Sequence, residues 1–175
     1  LSIITHVFKR AEEANIGEVI VATEDQEIIN DVKSNGGNAI LTSKNHKTGT
    51  DRIYEAFTMM KRNDIDYIMN VQGDEPDINI NDIKILDMKM KTNNSKIGTL
   101  AAKISNSDIY EDENAVKVKI NESFNKNSFP YAQNFMRKTK DREAVFHHLG
   151  IYCYEVNTLK KFISFNQSKN ELEIS

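Results

Sequence analysis

Three times within its first 76 residues the chain passes from an amphipathic helical pattern to a short β-prone run, and this alternation constrains the fold more than any other feature. Ile4, Val7, Phe8 and Ala11 recur at helical spacing, and Glu18 to Thr23 follows as a nearly continuous apolar strand. Asp25 is placed to cap a second helix carrying Ile28, Ile29 and Val32, which Gly36-Gly37 terminates before a short strand at Ala39 to Thr42. Thr50-Asp51 opens a third helix bearing Ile53, Ala56, Phe57 and Met60, and Asp66 to Val71 reads as the third strand. Helices and strands in this order predict an α/β fold with a mainly parallel, mixed sheet and helices on both faces.

Beyond Pro76 the pattern shifts to one more helix near Asn81 to Lys91 and then to strands at Ile97 to Ile104, Ala115 to Ile120 and Leu149 to Glu155. The polar, Asn- and Lys-rich stretch Asn121 to Arg142 reads as a hairpin excursion near 115–145, reaching over a ligand or toward a second subunit. Its cluster Arg137-Lys138-Thr139-Lys140-Asp141-Arg142 is a solvated face or, alternatively, a contact for an anion. At 175 residues the length suits a single domain, 1–175, with one substantial core. A net charge of -3 provides no general attraction for nucleic acid. No apolar run approaches the roughly 20 residues that span a bilayer, and no charged-then-apolar signal opens the chain, so the expected location is cytoplasmic with no membrane partner. The single cysteine, Cys153, cannot form an internal disulfide and sits in a strand-like run as an inert thiol.

The hexapeptide Val71-Gln72-Gly73-Asp74-Glu75-Pro76 follows a β-prone run at the point where open α/β sheets bind ligands. Gly73 permits close approach to the backbone, Asp74 is a hard oxygen ligand suited to Mg2+, and Pro76 ends the ladder. The same residues also suit an ordinary turn. A third reading, the Asp-Glu of a P-loop nucleotidase, requires a Gly-x-x-x-x-Gly-Lys-Ser/Thr loop that this sequence does not contain.

Four separated segments then point the same way: Thr48-Gly49-Thr50-Asp51-Arg52, Asn70 to Pro76, Asn114-Ala115-Val116-Lys117-Val118, and His147-His148-Leu149-Gly150-Ile151-Tyr152. In order and approximate spacing the chain resembles the 3-deoxy-manno-octulosonate cytidylyltransferase family, the CMP-KDO synthetases. The resemblance implies a nucleotide-diphospho-sugar transferase-like fold and transfer of CMP from CTP to the acid sugar KDO, with Mg2+ as cofactor and release of pyrophosphate. It further implies a role in lipopolysaccharide biosynthesis and a homodimer. Carried onto this sequence, the catalytic residues are Asp74, a metal ligand near the α-phosphate, and Gln72, which hydrogen-bonds the acid sugar. His148 and Tyr152 face the sugar, and Gly49, Thr50 and Arg52 line the nucleotide site. Residues four apart on a strand share a face, so His148 and Tyr152 agree with this assignment, while His147 must point the other way and cannot join His148 in chelating a metal.

The sequence also departs from the family pattern. Where the family has sugar-binding arginines, this chain has Lys126, in Phe124-Asn125-Lys126, and Gln133, in Phe129-Pro130-Tyr131-Ala132-Gln133. Lysine keeps the charge without the two-pronged grip on a carboxylate, and glutamine loses the charge. The stretch from Val118 to Phe124 is shorter than the family's. Relative to the family, the segment before Leu1, an Arg-rich loop gripping the triphosphate, and the segment after Ser175, with a second metal carboxylate, are not in this sequence, which as it stands is expected to catalyse poorly. Glu171 to Ser175 reads as the start of a further helix. An acylneuraminate-type cytidylyltransferase and a non-catalytic nucleotide-binding remnant are the alternative readings.

Overall fold

The first four helices of this chain start at short polar side chains, and the computed structural model, which describes residues 1–121 and 128–165, shows each of them engaged. The elements run α1 (Ile3–Ala14), β1 (Ile20–Thr23), α2 (Gln26–Ser34), β2 (Asn38–Leu41), α3 (Gly49–Met60), β3 (Tyr67–Asn70), α4 (Ile80–Thr92) and β4 (Ile97–Ala102). A 3-10 turn at Ser107–Tyr110 then leads to β5 (Lys117–Ile120), β6 (Ala132–Met136), β7 (Val145–Glu155) and α5 (Val156–Ile163). Ser2 accepts from the Thr5 N–H ahead of α1, and Asp25 accepts from the Glu27 N–H at 2.7 Å ahead of α2. Thr48 and Asp51 exchange both bonds of a capping box at α3. The described residues divide into two units, Leu1–Gly98 with Ile151–Phe165, and Thr99–Gly150.

In the first unit β1 and β2 are parallel, with Ile20 opposite Asn38 and Thr23 opposite Leu41. Phe8 of α1, Val21 of β1 and Val32 of α2 form a buried cluster, joined by Ile4, Val19, Ile28 and Ala39. The expected stop at Gly36-Gly37 holds for two different reasons. Gly36 takes the left-handed conformation, φ 85°, that ends a helix at little cost only for glycine. Gly37 has no room for a side chain, because a Cβ there would lie 2.7 Å from both the Phe8 ring and Val32. β3 pairs antiparallel with the end of β7, from Tyr67 opposite Glu155 to Asn70 opposite Tyr152. The architecture is therefore α/β with mixed strand directions, as the helix–strand alternation predicted.

α5 was not foreseen from the sequence, although Val156 and Leu159 are both buried along it. Glu155 caps this helix, accepting from the N–H groups of Asn157 at 3.1 Å and Thr158 at 2.9 Å. A glutamate is an uncommon cap, so the start signal was hidden. The helix expected at Glu171 to Ser175 lies outside the described residues.

In the second unit β5 lies between β6 and β7, antiparallel to both, which is the hairpin excursion expected near 115–145. β5 begins two residues later than its apolar pattern suggested, and Lys117 explains why. Its side chain is fully buried, and its ammonium donates to the carbonyls of Asp112 at 2.7 Å, Ala115 at 2.8 Å and Arg137. Wrapping the chain around that cation takes residues 112–115 out of the ladder. β7 extends earlier than expected, to Val145, because Val145 and Phe146 pair with Lys119 and Val118.

Gly37→Ala is expected to lower unfolding stability by about 1–3 kcal/mol through overpacking against Phe8 and Val32. Gly17→Ala, with nothing within 4 Å of the added methyl, should change it by less than about 0.5 kcal/mol. Urea denaturation of both variants measures the contrast.

Candidate functional site

The capping box that starts α3 also presents the Thr48-Gly49-Thr50 turn. In the first unit this turn meets the end of β3 and the last residues of β7. The Thr50 hydroxyl lies 3.4 Å from the Tyr154 hydroxyl, and a Cβ on Gly49 would lie 3.7 Å from the Asn70 amide nitrogen. Asn70 is paired opposite Tyr152, whose ring stacks on that of Tyr154 with centroids 6.0 Å apart. Burial pushes the Tyr152 phenol up to about 12, so at neutral pH it carries its proton and can donate a hydrogen bond. Tyr154 is raised for the same reason. Three of the expected residues, Gly49, Thr50 and Tyr152, thus share one surface with two that sequence reasoning had not singled out, Asn70 and Tyr154.

Arg52 is engaged by the protein itself. Its guanidinium pairs with Glu24 and donates to the Thr42 hydroxyl at 2.8 Å and the Ser43 carbonyl at 3.3 Å. It therefore ties α3 to the residues that follow β1 and β2, the C-terminal edge of the parallel pair. Gln72 and Asp74 are exposed in the turn after β3. The room left by Gly73 is used by the protein itself, since a Cβ there would lie 2.7 Å from the Cδ1 of Ile4 on α1.

In the second unit His148 is buried, with 9% of its surface exposed. Its backbone N–H donates to the Val116 carbonyl at 2.9 Å, and Phe135 meets the imidazole edge-on at 5.1 Å. The Thr99 hydroxyl donates to the Leu149 carbonyl at 3.3 Å and lies 2.8 Å from His148 Nε2. The hydroxyl thereby fixes the position of the imidazole ring. Burial, with a smaller push from His147, lowers the His148 pKa to about 4, and the ring is neutral near pH 7. Gln133 is exposed at the β-bulge of β6, where Asn134 pairs with Lys119 and Ala132 with Ile120. A bulge re-aims the side chain it carries. Lys126 lies outside the described residues.

The basic cluster at 137–142 is engaged with its own unit. Arg137 donates to the Glu113 carbonyl at 2.7 Å, Lys138 pairs with the Glu113 carboxylate at 2.6 Å, and Arg142 lies over the Tyr110 ring at 5.2 Å. Cys153 is 1% exposed, and burial raises its thiol to about 12, in keeping with the inert role expected of it. Among the described residues no three His, Cys, Asp or Glu side chains gather into a metal site. A lone exposed carboxylate such as Asp74 still fits Mg2+, which keeps several waters and is bound through one or two carboxylates together with substrate phosphates.

A family model described as "Cytidylyltransferase" matches residues 1–174. A 3-deoxy-manno-octulosonate cytidylyltransferase from Thermodesulfovibrio yellowstonii is 37% identical over 181 residues, covering 97% of this chain and 71% of that protein. Its namesake from Elusimicrobium minutum is 35% identical over 176 residues, covering 97% of this chain and 70% of its own length. Among solved structures, a CMP:2-keto-3-deoxy-manno-octonic acid synthetase complexed with CTP matches with a TM-score of 0.82 and 32% identity, over 97% of this chain and 70% of that one. A 4-diphosphocytidyl-2C-methyl-D-erythritol synthase from Anaerococcus prevotii, at TM-score 0.60 and 12% identity over 98% of this chain and 72% of that one, shares the fold.

The buried, neutral His148 makes stability depend on pH. In the unfolded chain its imidazole takes up a proton near pH 6.5, whereas in the folded protein it does so only near 4. This contribution is fully present above about pH 6.5 and is lost as the pH falls toward 4, amounting to about 3 kcal/mol in all. NMR titration should find a His148 midpoint near 4, and His148→Gln should flatten the acid limb of the stability profile.

Proposed function

The chain belongs to the cytidylyltransferase family, and on that premise we propose that it transfers CMP from CTP to 3-deoxy-D-manno-octulosonate, releasing pyrophosphate. The observation that carries this reading is the joint match in sequence and fold to proteins of that activity, with alignments spanning 97% of the chain. They span about 70% of the relatives' own length.

In this reading the anomeric hydroxyl of the sugar attacks the α-phosphorus of CTP in line with the departing pyrophosphate. A new O–P bond forms, the bond to the β-phosphate bridging oxygen breaks, and the hydroxyl proton passes to solvent. The protein contributes orientation and charge stabilisation. The Thr48-Gly49-Thr50 turn, with Asn70, receives the nucleotide. Tyr152 donates a hydrogen bond from a phenol that burial keeps protonated, and His148 offers a neutral imidazole oriented by Thr99. Each, within its own unit, is a neutral hydrogen-bonding group of the kind that suits a sugar hydroxyl. Gln72 and Gln133 add amide contacts to the sugar, and Lys126 supplies a positive charge for its carboxylate. Asp74 would hold Mg2+, which when bound offsets negative charge on the phosphates and lowers the pKa of the attacking hydroxyl.

The same reading covers the biology of the product. The enzyme works in the cytoplasm on the route to lipopolysaccharide, as a homodimer. No helix among the described residues is long and apolar enough to cross a membrane.

Pyrophosphate release by the full-length protein, measured with CTP, Mg2+ and a panel of acid sugars, tests the proposal. KDO should be the preferred acceptor, and preference for N-acylneuraminate, or no release with any acid sugar, would reject it. Asp74→Asn should lower turnover roughly 100-fold or more while leaving the thermal midpoint unchanged. His148→Ala should raise KM for KDO more than KM for CTP, and an equal loss of both would contradict the assignment of His148 to the sugar.

A further inference from the structure

The loop from Thr42 to Thr48, which delivers the chain from β2 to the Gly49–Thr50 turn, is fastened along its length by one face of α3. At the start of the loop Arg52 holds the Thr42 hydroxyl at 2.8 Å and the Ser43 carbonyl at 3.3 Å. At its end Asp51 accepts from the Thr48 N–H at 3.2 Å and the Thr48 hydroxyl at 2.8 Å. Between these two anchors stands Glu55, one turn further along the helix. Its Oε2 accepts from the Ser43 N–H at 2.8 Å and is also in contact with His46 Nε2. One carboxylate oxygen therefore joins the beginning and the middle of the loop.

The loop's first residue, Thr42, is buried and its N–H donates to the Thr23 carbonyl at 2.8 Å. Beyond it Ser43, Lys44, Asn45 and Lys47 are exposed. Beside the loop lies an open cavity of about 440 Å³, lined by Asn45, His46, Asp51, Tyr54, Glu55 and Met59 among others. Without core packing on that side, polar contacts to α3 decide where the loop rests, and the cavity provides space into which it can swing when they are broken. The pull of His46 and the Ser43 N–H holds the Glu55 carboxyl below its ordinary range, so it is ionised at neutral pH.

We propose that Glu55, acting with His46, is a positioning residue for the nucleotide: the latch holds the loop so that the Thr48-Gly49-Thr50 turn is already in place when CTP arrives. The proposal rests on the assignment of that turn to the nucleotide. Neither Glu55 nor His46 touches the reacting atoms in this account. Their effect falls on the probability that the turn is correctly placed, and hence on the apparent affinity for CTP.

The test is steady-state kinetics on the full-length protein, with CTP varied at saturating KDO and KDO varied at saturating CTP, for Glu55→Ala, Glu55→Gln, His46→Ala and Thr50→Val. Glu55→Ala should raise KM for CTP roughly 5- to 10-fold, with kcat and KM for KDO within about twofold of the parent. Glu55→Gln still accepts from the Ser43 N–H but loses its charge opposite His46, so it and His46→Ala should fall between the parent and Glu55→Ala. A Glu55→Ala protein whose KM for CTP is unchanged, even if its thermal midpoint drops, overturns the latch, because a purely structural role predicts that pattern. Thr50→Val separates the two levels of the argument. If it raises KM for CTP while Glu55→Ala does not, the turn binds nucleotide and the latch is wrong. If Thr50→Val leaves KM for CTP unchanged, the nucleotide assignment of the turn fails, and the latch loses its target whatever Glu55→Ala does.

Discussion

The backbone ladder of β7 is the constraint on which the remaining features depend. Over Val145–Glu155 it pairs with β5 at its start and with β3 at its end, so its register determines which side chains each unit presents. Strand side chains alternate, and a slip of one residue would exchange Tyr152 and Tyr154 for Ile151 and Cys153. Ile151 and Cys153 are 2% and 1% exposed, so such a slip would carry two well-buried side chains out of their packing. Burial on both faces, with Tyr154 itself 3% exposed, thereby fixes where the Tyr152 phenol stands.

The groups offered to ligand are mostly neutral and partly dry. His148 is held uncharged by burial with its ring against the Thr99 hydroxyl, and burial pushes the Tyr152 phenol further above its ordinary range. The charged side chains do other work. Arg52 is tied to Glu24, Lys138 to Glu113, and Lys119 to Asp141. The buried cation Lys117 is surrounded by three backbone carbonyls and organises the entry to β5, one residue from the carbonyl that receives the His148 N–H. Among these pairs charge chiefly shapes the backbone.

Much of this was legible in advance where the signal is local. Apolar periodicity, the Asp25 cap and the Gly36-Gly37 stop placed most of the helices and strands to within a few residues. The exceptions were α5, whose glutamate cap is atypical, and the starts of β5 and β7, which are set by a buried ammonium and by a partner strand. Thr50, Tyr152 and His148 could be singled out in advance because they lie in motif segments. Thr99 could not, since a threonine in an apolar strand gives no sign of a histidine some 49 positions away. Arg52 was read as a nucleotide ligand from its motif, and its engagement with Glu24 depends on where β1 ends beside β2.

By itself the sequence determined most of the succession of elements and the family, because periodicity, caps and motifs are properties of near neighbours along the chain. Only the tertiary structure decided the protonation of His148, the grip of Arg52 and Glu55 on the β2–α3 loop, and the use of Lys117 as an internal cation. Those depend on desolvation and on hydrogen-bond partners that folding brings together from distant positions.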